Sequence, residues 1–425
     1  MPELMTAPRE MVRFVSVGHS IPVGRTVEYL YFALLINSIM GSAWGISVPF
    51  VGGAGLALLA VYCLWQLRND AKTLCAQLLL PAGCAAVFVA IQVLVYDGSV
   101  LDQANREFIN WIWTIIIVQS LVPRGKFLHH FALLALGVGA LLLPYLDLTY
   151  GGEGSIRAGL ERDVGFANPN DLAAWFGFCC VYAVVVAVET RRNFNRIIWL
   201  FVAAGSLTVV GLTVSRATLM AVAITGIIAS RRLLKRGFVP LLLFAILGSA
   251  FFVSGLFDEA VGHYEKRGTE ESGRLLVWPL AIERFLESPL AGVGVGKLGT
   301  YVPEMGTEIT PHNGFLYIAL GAGILPLALF VGYWCQATKG TWQSRKRGLP
   351  NASFQIPLLV YAFIVSSFGA SAFMFPWAVV SLCQAVTRNK ARGIVRIVRR
   401  SEAVRQDSIH GLLEENASHS LGAPR

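Results

Sequence analysis

Charge is scarce in this chain. Only 14% of its 425 residues are Asp, Glu, Lys or Arg, against 55% hydrophobic, whereas a soluble protein carries charge on about a quarter of its residues. Paired cysteine is lacking too. The seven cysteines, Cys63, Cys75, Cys84, Cys179, Cys180, Cys335 and Cys383, all fall within apolar runs and form no CxxC, which argues against a disulfide framework and a zinc site. Residues 1–26 lack the basic-then-apolar layout of a cleavable signal and read as a cytoplasmic lead-in. No internal repeat of solenoid length and no low-complexity segment occurs.

What the chain has instead is long apolar runs. Hydropathy places spans at 27–44, 46–67, 73–96, 108–122, 127–146, 171–190, 197–214, 217–230, 237–257, 313–337, 354–369 and 372–387, roughly twelve helices of near-bilayer length. The expected fold is all-α and polytopic: a transmembrane domain over 27–387 and a basic cytoplasmic tail over 388–425. The tail either forms a short amphipathic helix on the inner leaflet or is solvated.

The formal charge of +9 would suit a nucleic-acid binder, but its distribution follows topology. Basic clusters at Arg9/Arg13/Arg25, Arg68/Lys72, Arg124/Lys126, Arg191/Arg192/Arg196, Arg231–Arg236, Lys339–Arg347 and Arg388–Arg400 occupy every second junction, as the positive-inside rule requires. No nucleic-acid partner is implied. Both termini are then cytoplasmic. The outward junctions are 97–107, 147–170, Ser215-Arg216, 258–312 and the 369–372 turn. Arg216, Arg274 and His312, far apart in sequence, therefore share one side of the membrane.

The long outward loop, 258–312, is the main polar interruption. Within it, Leu275–Leu286 places Trp278, Ile282, Phe285 and Leu286 on one helical face. Such a short helix would rest in the membrane interface, with Pro279 tolerated if it lies in the first turn. Arg274 precedes this helix, where a guanidinium and a helix N-terminus together suit phosphate; a solvated loop arginine is the plainer reading. Arg216, between apolar runs on the side where few positive charges are expected, is either an arginine snorkelling to headgroups or an anion clamp. His312, held between Pro311 and the next span, is either a structural histidine or a general base. Asn168 and Asn170 flank Pro169 before Asp171; they read equally as a turn with a helix cap or as amides that position a sugar.

Several chemistries find no support. GVGVGK (292–297) departs from a P-loop, because Ala291 replaces the first glycine and Leu298 follows the lysine; the run reads as a flexible connector. The outward loops hold no DxD pair and no histidine–carboxylate cluster at metal spacing, which disfavours a metal-dependent nucleotide-sugar transferase. Asn351 and Asn416 stand in NAS tripeptides at junctions read as cytoplasmic.

The ordered set GFANPNDLA, TVSRATLM, SGRLLVW, SPLAGVGVG and PHNGFLYIALGAGI resembles the bacterial O-antigen ligase family, over roughly residues 160–340. That family acts on polyprenyl-diphosphate-linked glycans. The resemblance implies a metal-independent, inverting membrane glycosyltransferase with no cofactor, in the bacterial inner membrane with its site facing the periplasm. By carry-over, Arg216 and Arg274 hold the donor diphosphate and His312 activates the acceptor hydroxyl. Asn168 and Asn170, and Asn313 beside His312, position the acceptor. The implied partners are an undecaprenyl-diphosphate-linked glycan, a lipid A–core or growing-glycan acceptor, and the bilayer. A ligase completing lipopolysaccharide and a polymerase of O-antigen, capsular or exopolysaccharide repeats share this bond chemistry. A transporter of polysaccharide or lipid is the alternative from another class; it would be expected to show repeated halves and polar groups at mid-membrane.

Overall fold

The computed structural model describes residues 23–41, 44, 51–66, 71–121, 127–147, 158–160, 168–190, 192–234, 274–303, 306–346, 352–368 and 380. The expected span at 237–257, that at 372–387 apart from residue 380, residues 258–273 of the long loop, most of the lead-in and the basic tail lie outside them. The described chain is almost wholly helical: α1 (Val23–Met40), α2 (Val51–Gln66), α3 (Ala71–Val95), α4 (Gln103–Leu121), α5 (Phe127–Leu142), α6 (Pro169–Glu189), α7 (Asn193–Leu212), α8 (Arg216–Leu234), α9 (Arg274–Glu287), α10 (Gly314–Ala322), α11 (Ile324–Lys346) and α12 (Ala352–Phe368). Two small antiparallel hairpins complete it, β1 (Leu146–Asp147) with β2 (Gly159–Leu160), and β3 (Thr300–Val302) with β4 (Thr307–Ile309).

Among the described residues, Gln77–Val95, Phe127–Tyr145, Pro169–Glu189 and Asn193–Leu212 are long and apolar enough to cross a membrane. Gly52–Gln66, Arg216–Ala229 and Phe354–Phe368 are shorter apolar helices. This is an all-α membrane protein. α6 is its central helix, buried along nearly its whole length, as expected of a helix apolar on every face. It packs against α7, α8 and α12.

α6 is closely approached at Gly177. The Tyr361 hydroxyl donates to the Ala174 carbonyl at 2.6 Å. A Cβ on Gly177 would collide with that hydroxyl and come within 2.7 Å of Thr218 Cγ2. Small residues let membrane helices approach this closely. Gly177→Ala is expected to cost about 1–3 kcal/mol, read as a lower melting temperature of the detergent-purified protein.

Three expectations require correction. The run 313–337, expected as one span, is two helices, because Gly323 adopts φ +85°. Its N–H still caps α10 through the Ala319 carbonyl at 2.8 Å, but the Ile324 N–H turns to the Pro289 carbonyl, also at 2.8 Å. The glycine run after α9 is not a flexible connector. Gly292 (φ +73°) and Gly294 (φ +83°) adopt conformations that L side chains rarely take. A Cβ on Gly292 would meet the Leu320 carbonyl, and one on Gly294 would lie 2.9 Å from the Tyr96 ring. The loop is backbone packed against the broken helix. Pro279, finally, lies inside α9, beyond the first turn where it was expected, and so deletes one intrahelical hydrogen bond.

Candidate functional site

Each candidate residue stands at the start of a helix. Asn168 is the N-cap of α6, its Oδ1 accepting from the Asn170 N–H at 2.9 Å, with Pro169 at the first helical position and Asp171 in the first turn. These are favoured choices for a helix start, because they supply an acceptor, a preset φ and a negative charge. Asn313 caps α10 in the same way, its Oδ1 accepting from the N–H groups of Phe315 and Leu316 at 2.9 and 3.1 Å. Since both caps demand an acceptor, the orientation of the two amides follows from the backbone donors. Asn170 is half-buried in the first turn of α6.

Arg216 is the first residue of α8 and is exposed. The turn before it is strained, for Val214, a β-branched residue, has φ +54°. Thr213 anchors the turn through Oγ1 to the Val210 carbonyl at 2.7 Å. Ser215 closes it, with Oγ donating to Thr218 Oγ1 at 3.2 Å. Arg274 is likewise the first residue of α9.

His312 is half-buried and has φ +45°. Its Nε2 lies 3.4 Å from Thr310 Oγ1. The peptide plane preceding it is fixed from outside, because Trp278 Nε1 donates to the Pro311 carbonyl at 2.8 Å. That plane sets φ of His312, so the indole helps hold the left-handed conformation. Backbone strain of this kind persists only where the surroundings over-determine it.

A chain of contacts shows how these starts relate. Tyr361 reaches Ala174 near the start of α6, and Thr218 near the start of α8 meets it beside Gly177. Seven residues further along α12, Phe368 packs on Trp278, ring centroids 5.5 Å apart. Trp278 is one turn beyond Arg274 and bonds to the residue before His312. The N-termini of α6, α8, α9 and α10 therefore gather at one end of the bundle. Each helix start carries about half a positive charge, and two of the four begin with arginine.

α9 and α10 are held to each other at both ends. At the His312 end the bond is Trp278 to Pro311. At the other, the Val293 N–H donates to the Leu320 carbonyl at 2.6 Å, beside the Ile324–Pro289 bond. Buried Gln92 on α3 fastens this second clasp, its Nε2 donating to the Gly321 carbonyl at 2.6 Å and its Oε1 accepting from the Val295 N–H at 3.1 Å. Tyr96 adds a bond to the Gly292 carbonyl at 2.6 Å. These residues escaped the sequence reading because Gln92 lies inside an apolar run with no partner nearby in sequence.

Glu107 was also not singled out. It begins the second turn of α4, accepting from Gln103 Nε2 at 3.1 Å, within electrostatic reach of Tyr317 on α10. Burial raises its carboxyl above the usual range, opposed by the Gln103 hydrogen bond and the Arg106 charge. Among the described residues no group of His, Cys, Asp and Glu is arranged to hold a metal ion.

Residues 170–331 match a family model described as O-antigen ligase. This region belongs to the O-antigen ligase family. The match runs from the first turn of α6 into α11. Arg216, Arg274, His312 and the glycine clasp thus all lie inside the ligase-family region. No curated protein matches the chain. The match over residues 170–331 supports an O-antigen ligase- or polymerase-like membrane enzyme, with the glycosyltransferase-like activity that the family implies.

Proposed function

We propose that the protein is an inverting, metal-independent O-antigen ligase that moves a glycan from undecaprenyl diphosphate to a sugar hydroxyl of lipid A–core. The observation that carries this reading is the gathering of four helix N-termini, two arginines and a strained histidine at one bundle end within the family region. We place that end at the periplasmic face of a twelve-span protein in the bacterial inner membrane, both termini cytoplasmic, from the alternation of basic junctions. No nucleotide sugar is supplied on that side, so the donor arrives already activated on a lipid.

In this reading Arg216 and Arg274 grip the diphosphate, which planar guanidinium matches bidentately. The acceptor oxygen attacks the anomeric carbon from the face opposite the diphosphate. The anomeric C–O bond breaks, its electron pair leaves on the diphosphate oxygen, and His312 takes the acceptor proton. Charge growing on the leaving group is met by the arginines and helix dipoles, and each such donor typically contributes about 3–4 kcal/mol. Asn168 and Asn313, their carbonyl oxygens engaged as caps, offer NH2 groups to sugar oxygens. Asn170 completes the acceptor side.

Trp278→Phe keeps a ring against Phe368, removes the N–H donor and trims the ring system. Loss of about 1 kcal/mol of hydrogen bonding is expected to lower kcat roughly fivefold, with KM unchanged, in a purified transfer assay. Carrier-lipid analysis of a deletion strain tests the proposed function. Accumulation of full-length polymer on undecaprenyl diphosphate is the result expected of a ligase. Accumulation of single repeat units would assign the polymerase reaction instead, and an unchanged carrier pool would oppose both.

A further inference from the structure

The β3–β4 hairpin has two unlike faces. Thr300 and Val302 are buried, and Val302 joins Val277 and Ala281 of α9 and Leu298 in a small core against which Ile309 packs. Arg284 of α9 donates to the Gly299 carbonyl at the foot of β3. The hairpin is therefore fixed to the helix that Arg274 begins. Its other face presents Tyr301 directly opposite Glu308. Tyr301 is 58% exposed, and Glu308 is exposed with Oε2 lying over Gly299.

From the end of β4 at Ile309 the chain continues through Thr310 and Pro311 into His312. Four residues of extended chain span at most about 14 Å, so Glu308 stands within that reach of the histidine, with Tyr301 opposite it on the neighbouring strand. An aromatic face next to a carboxylate suits a pyranose ring. The ring C–H face packs on the phenol, and an adjacent hydroxyl donates to the carboxylate. A charged group beside the tyrosine disfavours seating the face in lipid hydrocarbon, and two side chains are too small an area for a stable protein interface.

We infer that the outward face of this hairpin, Tyr301 with Glu308, is a sugar-binding subsite that seats a glycan ring removed from the bond being formed. This rests on the proposed glycosyl transfer at His312. The subsite acts in binding, so its loss raises KM and spares kcat.

The test uses full-length protein in detergent and oligosaccharides released by mild acid from the host's own surface polysaccharide, which carry no diphosphate. Calorimetric titration is expected to show Tyr301→Ala binding about tenfold more weakly, a change of about 1.4 kcal/mol. Glu308→Gln, an isosteric change at an exposed position, is expected to weaken binding at least about fivefold, a change of about 1 kcal/mol. Tyr301→Phe stays close to wild type. Binding by Tyr301→Ala and Glu308→Gln indistinguishable from wild type would overturn the inference, and Glu308→Gln carries the test alone should Tyr301→Ala not fold. In transfer assays, a raised KM for the varied acceptor assigns the ring to the acceptor, and a raised KM for the donor assigns it to the donor. Unchanged KM for both again overturns the subsite while leaving transfer intact. Absence of any glycosidic bond with wild-type enzyme would instead strike the functional reading.

Discussion

Replacing His312 with asparagine is expected to reduce transfer by about 10²- to 10⁴-fold, the range typical of a general base, without lowering the melting temperature. The position demands a residue tolerant of φ +45°, and asparagine adopts that conformation more readily than most side chains. It also keeps a hydrogen-bonding group in place but accepts no proton at neutral pH. Glycine relieves the strain altogether, so His312→Gly is expected to be equally inactive and as stable as wild type or slightly more so. A purely structural histidine predicts the reverse: asparagine would preserve activity, and any loss would track the melting temperature. Paired measurement of initial transfer rates and thermal unfolding separates the two.

The second large effect is expected at the arginines. Arg216→Ala and Arg274→Ala should each lower kcat by about 10²- to 10³-fold, the usual cost of removing one donor from a developing anion. The lysine variants decide the cause. Lysine keeps the charge and snorkels as arginine does, but it lacks the planar fork that grips two phosphate oxygens at once. Arg216→Lys and Arg274→Lys should therefore retain the folded protein and remain well below wild-type activity. Because both side chains would hold one diphosphate, the double alanine variant should lose less than the product of the single losses. Full activity in Arg216→Lys would return that residue to a headgroup anchor.

Much of this arrangement was legible in the sequence where polar residues interrupt apolar runs. Asn168, Arg216, Arg274 and Asn313 mark helix starts because caps and charges cannot sit inside a lipid-facing helix, and each does begin or cap one. The break at Gly323 was hidden, since the apolar run continues through it and a glycine inside such a run carries no directional signal. The clasp between the Gly292–Gly294 loop and α10 was illegible for a related reason. It is made by backbone groups, which leave no hydrophobic period to read. The β3–β4 hairpin has strands of three residues each, too short for alternation to stand out. Trp278 was placed on an interfacial face by period alone. Its hydrogen bond to Pro311 lies across 33 positions in sequence, and only the fold supplies it.

In the proposed reaction the gathered helix starts catalyse glycosidic bond formation, with the donor diphosphate as leaving group. The direct test places purified protein in liposomes with an undecaprenyl-diphosphate oligosaccharide and lipid A–core, in excess EDTA, and quantifies products in a single time course. Equal amounts of glycosylated lipid A–core and free undecaprenyl diphosphate are expected, both formed about 10²- to 10³-fold more slowly with Arg274→Ala. Movement of the oligosaccharide lipid across the bilayer with no new glycosidic bond would contradict the proposed reaction.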